Sequence, residues 1–201
     1  MTTLLRIDAS ARFEGSSSRR LADHFQARWT AAHPRARVIV RDLARRPVPH
    51  LDAPTIAAFY GAPVGAKPPA GVALSDALIA ELRAADHLLV SSPLYNQSLP
   101  SALKAWIDHV VRDGQTFVTR DRRPVGLLGA TSASIVIARG GVTSARVDDF
   151  ETPYLRAILG FIGITRVEVI TVEATAHDEA ARSQGFAAAI AQVDRLLGAQ
   201  A

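Results

Sequence analysis

Ser91-Ser92-Pro93-Leu94-Tyr95-Asn96-Gln97-Ser98-Leu99-Pro100-Ser101-Ala102-Leu103-Lys104 is the stretch whose reading decides the fold. The apolar run Asp86-His87-Leu88-Leu89-Val90 leads into it. The helix-like run Leu103-Lys104-Ala105-Trp106-Ile107-Asp108-His109-Val110-Val111 leads out. The stretch therefore reads as the loop at the carboxyl end of a buried strand. In open α/β sheets ligands bind in the crevice outside those strand ends. The loop is polar, turn-rich and carries one aromatic side chain. Such a loop can wrap a flat heteroaromatic ring, with backbone N–H and C=O groups for the ring edge.

The same alternation extends outward in both directions. Strands are expected at Leu4 to Asp8, Arg37 to Val40, His87 to Ser91, Ser134 to Ala138 and Arg166 to Val172. Helices are expected at Ser16 to Trp29, Ser101 to Arg112, Phe150 to Leu159 and Asp178 to Leu197, with shorter ones at Pro54 to Tyr60 and Ser75 to Ala85. Leu21, Phe25 and Trp29 recur at helical spacing. A turn or hairpin is expected over Thr119 to Gly126. The third and fourth strands are near-continuous apolar runs, which calls for a parallel sheet covered on both faces. The reading is one α/β domain over residues 1–201, a doubly wound five-stranded parallel sheet in the order 2-1-3-4-5. Pro47 to Pro69, rich in Pro, Gly and Ala, is the kind of long irregular segment that serves as a lid or binding loop.

Two further segments carry chemistry. After the first strand come Ser10 and then Ser16-Ser17-Ser18, opening the first helix. A helix amino terminus presents unpaired N–H groups and the positive end of its dipole, so it suits phosphate. One serine there would be an ordinary N-cap. Four hydroxyls at the first strand–helix turn favour phosphate. The turn is neither a Walker A loop nor G-x-G-x-x-G, against ATP and a Rossmann dinucleotide. After the fourth strand comes Arg139-Gly140-Gly141. Alone it is an ordinary turn; beside the Tyr95 loop, its paired glycines let backbone approach a flat ligand.

Composition narrows the function classes. The chain has no cysteine, which removes disulfides, thiolate nucleophiles and Cys-based metal sites. His24, His33 and His50 lack metal-ligand spacing, and no metal site is expected. Lys and Arg total 23 against 19 acidic residues, a net charge of +4 spread along the chain, so no nucleic-acid partner is expected. No signal peptide and no bilayer-spanning run is read, so a cytoplasmic protein without a membrane partner is expected. Ser98 and Ser101 have no identifiable His/Asp partner and no G-x-S-x-G elbow. Trp29 and Trp106 read as packing residues, Arg120, Arg122 and Arg123 as a solvated turn, and Asp108 and His109 as surface or subunit-contact positions.

Pro93-Leu94-Tyr95-Asn96 with Leu99-Pro100-Ser101-Ala102-Leu103-Lys104-Ala105-Trp106-Ile107-Asp108 resembles the flavin loop of the FMN-dependent NADH-azoreductase and NAD(P)H:quinone oxidoreductase family. Ser10 with Ser16-Ser17-Ser18 resembles its phosphate turn, and Ala138-Arg139-Gly140-Gly141 its second flavin loop. Thr152-Pro153-Tyr154-Leu155 with Leu159-Gly160-Phe161-Ile162-Gly163-Ile164 resembles its late helix and turn. Four pieces in the family's order cover nearly the whole chain. The resemblance implies a flavodoxin-like fold, FMN as cofactor, NADH or NADPH as electron donor, and quinones and azo compounds as acceptors. It implies that Ser10, Ser16, Ser17 and Ser18 hold the FMN phosphate. Pro93, Leu94, Tyr95, Asn96, Gln97, Arg139, Gly140 and Gly141 would contact the isoalloxazine. It also implies a homodimer with the site at the subunit interface. Flavin N5 would carry the redox chemistry, so no side chain is expected to act as nucleophile or general base. The family often has an aromatic residue where this chain has Gln97. A flavodoxin-like electron-transfer or flavin-binding protein without its own small-molecule substrate is the alternative; electron-carrying flavodoxins are typically acidic, whereas this chain is net positive.

Overall fold

β1 (Thr3–Asp8) opens the fold, followed by α1 (Ser17–Ala32) and β2 (Arg37–Asp42). The computed structural model describes residues 2–63, 68–142 and 148–198; residues 64–67 of the expected lid segment lie outside that description. Next come α2 (Ala53–Phe59), α3 (Ala70–Arg83), β3 (His87–Pro93) and α4 (Ser101–Val110). The hairpin strands β4 (Phe117–Arg120) and β5 (Arg123–Gly126) precede β6 (Ser132–Ala138). α5 (Glu151–Phe161), β7 (Val167–Val172) and α6 (Glu179–Gly198) complete the chain.

The main sheet has the order β2-β1-β3-β6-β7, all neighbours parallel. With the β4–β5 hairpin set apart, this is the expected 2-1-3-4-5 arrangement. Alternate side chains of each strand enter opposite layers. Leu5, Ile7, Leu88, Val90, Ile135 and Ile137 pack under α3, α4 and α5, whose Leu82, Trp106 and Leu159 close that core. Leu4, Leu89 and Val136 face the other way, against Leu21, Phe25 and Trp29 of α1 and Val193 and Leu197 of α6. The register aligns Asp8 with Ser91, Pro93 with Ala138, and Ala138 with Val172. The carboxyl ends of four adjacent strands therefore open onto one edge, which positions the site.

Two local expectations are corrected. α3 begins at Ala70, five residues before the expected Ser75, because Pro68-Pro69 ends the preceding loop and Ala70 to Leu74 extend the helix by more than a turn. Ser75 caps nothing; it is fully buried and its hydroxyl donates to the His109 carbonyl at 2.7 Å. His109 is not a surface residue either. It is buried, with Nε2 3.1 Å from the Pro49 carbonyl, because the Val48–Pro49 segment covers that face of α4. Asp108, one position earlier, faces outward and pairs with Lys104 at 2.5 Å. Trp29 and Trp106 are packing residues, each 2% exposed.

Candidate cofactor site

The turn after β1 is held by a charge network. Arg19 forks onto Asp42 at 2.7 and 2.9 Å and donates to the Ser10 carbonyl at 2.6 Å. It also lies 3.5 Å from Asp8, which in turn pairs with Arg6 at 3.1 Å. Burial raises the Asp8 carboxyl above its ordinary value, while the two guanidiniums oppose that shift. The fork thus fixes the backbone of Ser10, and the Ser10 hydroxyl accepts from the Arg12 N–H at 3.2 Å. Ser16 caps α1 by accepting from the Arg19 N–H at 3.4 Å, and the Ser16 and Ser18 hydroxyls lie 3.3 Å apart. The first N–H groups of α1, which an α-helix leaves without intrahelical carbonyl partners, form the positive end of a helix of 16 residues.

Removing Arg19 should therefore show at two levels. Arg19→Met leaves Asp8 and Asp42 without their shared partner, a loss expected to cost about 3 kcal/mol. It also frees the Ser10 turn, so whatever affinity that turn has for inorganic phosphate should weaken. Arg19→Lys restores the charge without the fork and should recover only part of each. Thermal melts alongside titration with inorganic phosphate check both; a variant with wild-type melting would show that the network does not hold the turn.

The loop after β3 begins as extended sheet, with the Leu94 N–H donating to the Ala138 carbonyl at 2.8 Å. Tyr95 and Ser98 then exchange backbone bonds at 2.9 and 3.0 Å around Asn96 and Gln97, whose φ values are 50° and 67°. This is the two-residue turn with both central residues left-handed, for which Asn is well suited. The Gln97 carbonyl accepts from the Phe150 N–H at 2.9 Å, tying the turn to the start of α5.

The structure brings Ser10, Ser16, Ser17, Ser18, Pro93, Leu94, Tyr95 and Gly140 around one cavity of about 580 Å³. That is the size of an ordinary small-molecule site. Asn96, Gln97, Arg139 and Gly141 do not line it. Arg139 is buried and turned onto Asp149 at 2.9 Å, so only its backbone belongs to the loop facing the cavity. The Gly141 carbonyl accepts from the Ala174 N–H at 3.0 Å, which anchors that loop to the end of β7.

The opposite wall comes from residues the sequence reading did not reach. Glu179, Arg182, Ser183, Phe186, Ala187 and Ile190 of α6 line the cavity. Their spacing of three and four marks one helix face, the signal that could have found them. Arg12, Arg20 and Arg182 add three guanidiniums to the rim, against the single carboxylate of Glu179. Arg182 pairs with that carboxylate, and Arg20 stacks over Phe186 at 4.3 Å. Hydroxyls, free helix N–H groups and surplus positive charge at one end, with apolar and backbone surface beyond, suit a ligand with an anionic tail and a flat head. A second, mostly apolar cavity of about 520 Å³ lies past the turn, lined by His50, Ser98, Leu99, Ser101, Lys104, Phe150 and Tyr154. No metal-binding cluster occurs among the described residues, and no described helix is long and apolar enough to cross a membrane.

Residues 2–197 match the family described as having a flavodoxin-like fold. The chain belongs to that family. Among curated relatives, it is 49% identical over 177 residues to an FMN-dependent NADH:quinone oxidoreductase of Xanthobacter autotrophicus, covering 84% of this chain and 85% of that protein. It is 42% identical over 205 residues to a protein of the same name from Herminiimonas arsenicoxydans, covering 99% and 100%. Among solved structures, an azoreductase from Bacillus anthracis superposes with a TM-score of 0.87 at 28% identity, covering 98% of this chain and 99% of that one. The flavodoxin-like sheet explains why the serine turn, the Tyr95 loop and the Gly140 loop meet: all three leave neighbouring strands at the same edge.

Proposed function

We propose that this chain is an FMN-dependent NADH:quinone oxidoreductase that also reduces azo compounds. The observation that carries the reading is the single cavity joining Ser10, Ser16, Ser17 and Ser18 to Tyr95 and Gly140. The relatives' names support it. Ser10 and the α1 amino terminus bind the phosphate, with Arg12, Arg20 and Arg182 balancing its charge. Pro93, Leu94, Tyr95 and Gly140 offer backbone and apolar surface to the ring; Asn96, Gln97, Arg139 and Gly141 shape those two loops from behind. FMN held there would supply the redox chemistry between NADH or NADPH and the acceptor. The chain's own work is to bind, orient and leave one ring face open, so none of its side chains serves as nucleophile or general base.

We further assign the whole chain, residues 1–201, to one FMN-binding unit, placed in the cytoplasm where the nicotinamide donor is available. The apolar cavity beside Leu99 and Tyr154, with Phe150 59% exposed at its edge, supports a homodimer closing over that face. Donor and acceptor, sharing one open side, should exclude one another. Initial rates at several fixed quinone concentrations should give parallel double-reciprocal lines. The chromophore released by heat should have the mass of FMN. Intersecting lines would overturn the shared face, and FAD or a colourless, flavin-free protein would overturn the cofactor.

A further inference from the structure

Behind the two flavin loops lies a carboxyl group that the redox scheme does not use. Glu151, the first residue of α5, has no solvent exposure, and among the described residues its carboxyl oxygens have no close hydrogen-bond partner beyond a weak interaction with the Ser92 hydroxyl. An ionised carboxylate in that setting is strongly disfavoured. Its neighbours come from three elements. The Ser92 hydroxyl of β3 interacts with it and favours the ionised form; of the charged groups acting on it, Arg139 just after β6 also favours that form and Asp149 before α5 opposes it. Burial, with Asp149 adding to it, pushes the Glu151 carboxyl up to about 8.

The same neighbours hold the loops. Asp149 accepts from Arg139 at 2.9 Å, from the Glu151 and Thr152 N–H groups at 3.0 and 2.8 Å, and from the Thr152 hydroxyl at 2.6 Å. Arg139 Nε is buried and has no hydrogen-bond partner among the described residues. The residue before Glu151, Phe150, carries the N–H that ties the Tyr95–Ser98 turn. One guanidinium thus balances one carboxylate, and a second carboxylate in the cluster would compete for it.

We propose that Glu151 is a positioning residue for the flavin site: as the neutral acid it leaves the Arg139–Asp149 pair intact, and its ionisation draws Arg139 off Asp149 and loosens both loops around FMN. The proton lost in that step passes to solvent. By linkage, FMN binding must favour the protonated acid by the same factor. The inference rests on FMN occupying the cavity described above.

The test uses FMN-loaded, full-length protein diluted at a series of pH values from about 6 to about 10, with released flavin read by fluorescence. Wild type should hold FMN about tenfold more weakly at the alkaline end than at the neutral end, the size of one pKa unit of coupling. Glu151→Gln, which cannot ionise, should show an alkaline-to-neutral ratio near one. Glu151→Met, uncharged and of similar length, serves as a second replacement should the amide misfit. The infrared carbonyl band of a protonated carboxylic acid should be present in wild type at neutral pH and absent from Glu151→Gln. A wild-type ratio near one, or the same ratio in wild type and both variants, overturns the proposal. Failure of every protein to take up FMN at any pH overturns the cofactor reading instead, and the proposal with it.

Discussion

Between pH 4.5 and 6.5 the stability of this protein should show little net change from two buried groups that each alter it by roughly 3 kcal/mol across that window. His87 lies between β1 and β6, with its ring nitrogens 2.8 and 3.1 Å from the Ser132 and Ser134 hydroxyls and its ring stacked on Phe25. Burial, with His33 and Arg166 adding to it, lowers it from 6.5 to about 4. As pH falls below 6.5 the unfolded chain therefore takes up a proton that the folded chain refuses, and stability falls with it. Glu151 works in the other direction. Its folded value is raised from 4.5 to about 8, so the folded chain keeps a proton that the unfolded chain loses. Stability conferred by that proton is complete below pH 4.5 and is lost as pH rises through 8.

The two slopes oppose each other from pH 4.5 to 6.5, and above 6.5 only the Glu151 slope remains. His87→Asn should thus lose roughly 3 kcal/mol on going from pH 4.5 to 6.5, whereas Glu151→Gln should gain about as much. Asp8, also raised by burial, titrates in all three proteins alike and drops out of the comparison. Urea unfolding at each pH gives the free energies. If the two variants run parallel to one another, the groups do not titrate as their burial requires.

A single methyl group at Gly126 should be as costly as either charge. A Cβ there would stand 2.0 Å from the Gly163 nitrogen and 2.2 Å from the Ile162 carbonyl carbon, and both are backbone that cannot rotate away. The hairpin end rests directly on the turn after α5, where the Leu128 N–H donates to the Ile162 carbonyl at 2.9 Å and Gly163 adopts a φ of 100°. Gly126→Ala must push these backbones apart, for a loss of about 3–5 kcal/mol. Gly160, three residues before Gly163, is the control. It sits in α5 with nothing within 4 Å of a built Cβ, so Gly160→Ala should raise stability by about 1 kcal/mol. Denaturant midpoints distinguish the two; a Gly126→Ala protein with a wild-type midpoint would mean that the hairpin does not rest there.

The elements that carry the fold were legible because their signals are local. The apolar runs at Leu88 to Val90 and Ser134 to Ala138 mark doubly covered parallel strands. Leu21, Phe25 and Trp29 mark a helix stripe. Ser16 to Ser18 are turn and cap chemistry readable within a few residues. The loop from Pro93 to Gln97 follows its strand directly, so its place at the carboxyl edge came with the strand itself. Side-chain roles set by distant partners were not legible in this way. Arg139 was expected against the flavin, but Asp149 competes for its guanidinium and takes it, leaving only backbone to the cavity. His109 was expected outside, yet the Pro49 carbonyl, 60 residues earlier, covers it.

The sequence by itself determined the order of strands and helices, the serine-rich cap of the first helix and the sheet edge at which that turn and the Tyr95 loop lie, because periodicity, capping and turn chemistry act over neighbouring residues. Only the tertiary structure decided that α6 supplies Arg182 and Phe186 to the cavity, that Gly126 meets Gly163 backbone to backbone, and that Glu151 is fully buried among Ser92, Arg139 and Asp149. Each of these depends on what long-range packing brings within a few ångströms. The energy of a buried polar group, or of a missing Cβ, is set by those neighbours and not by the residues beside it in the chain.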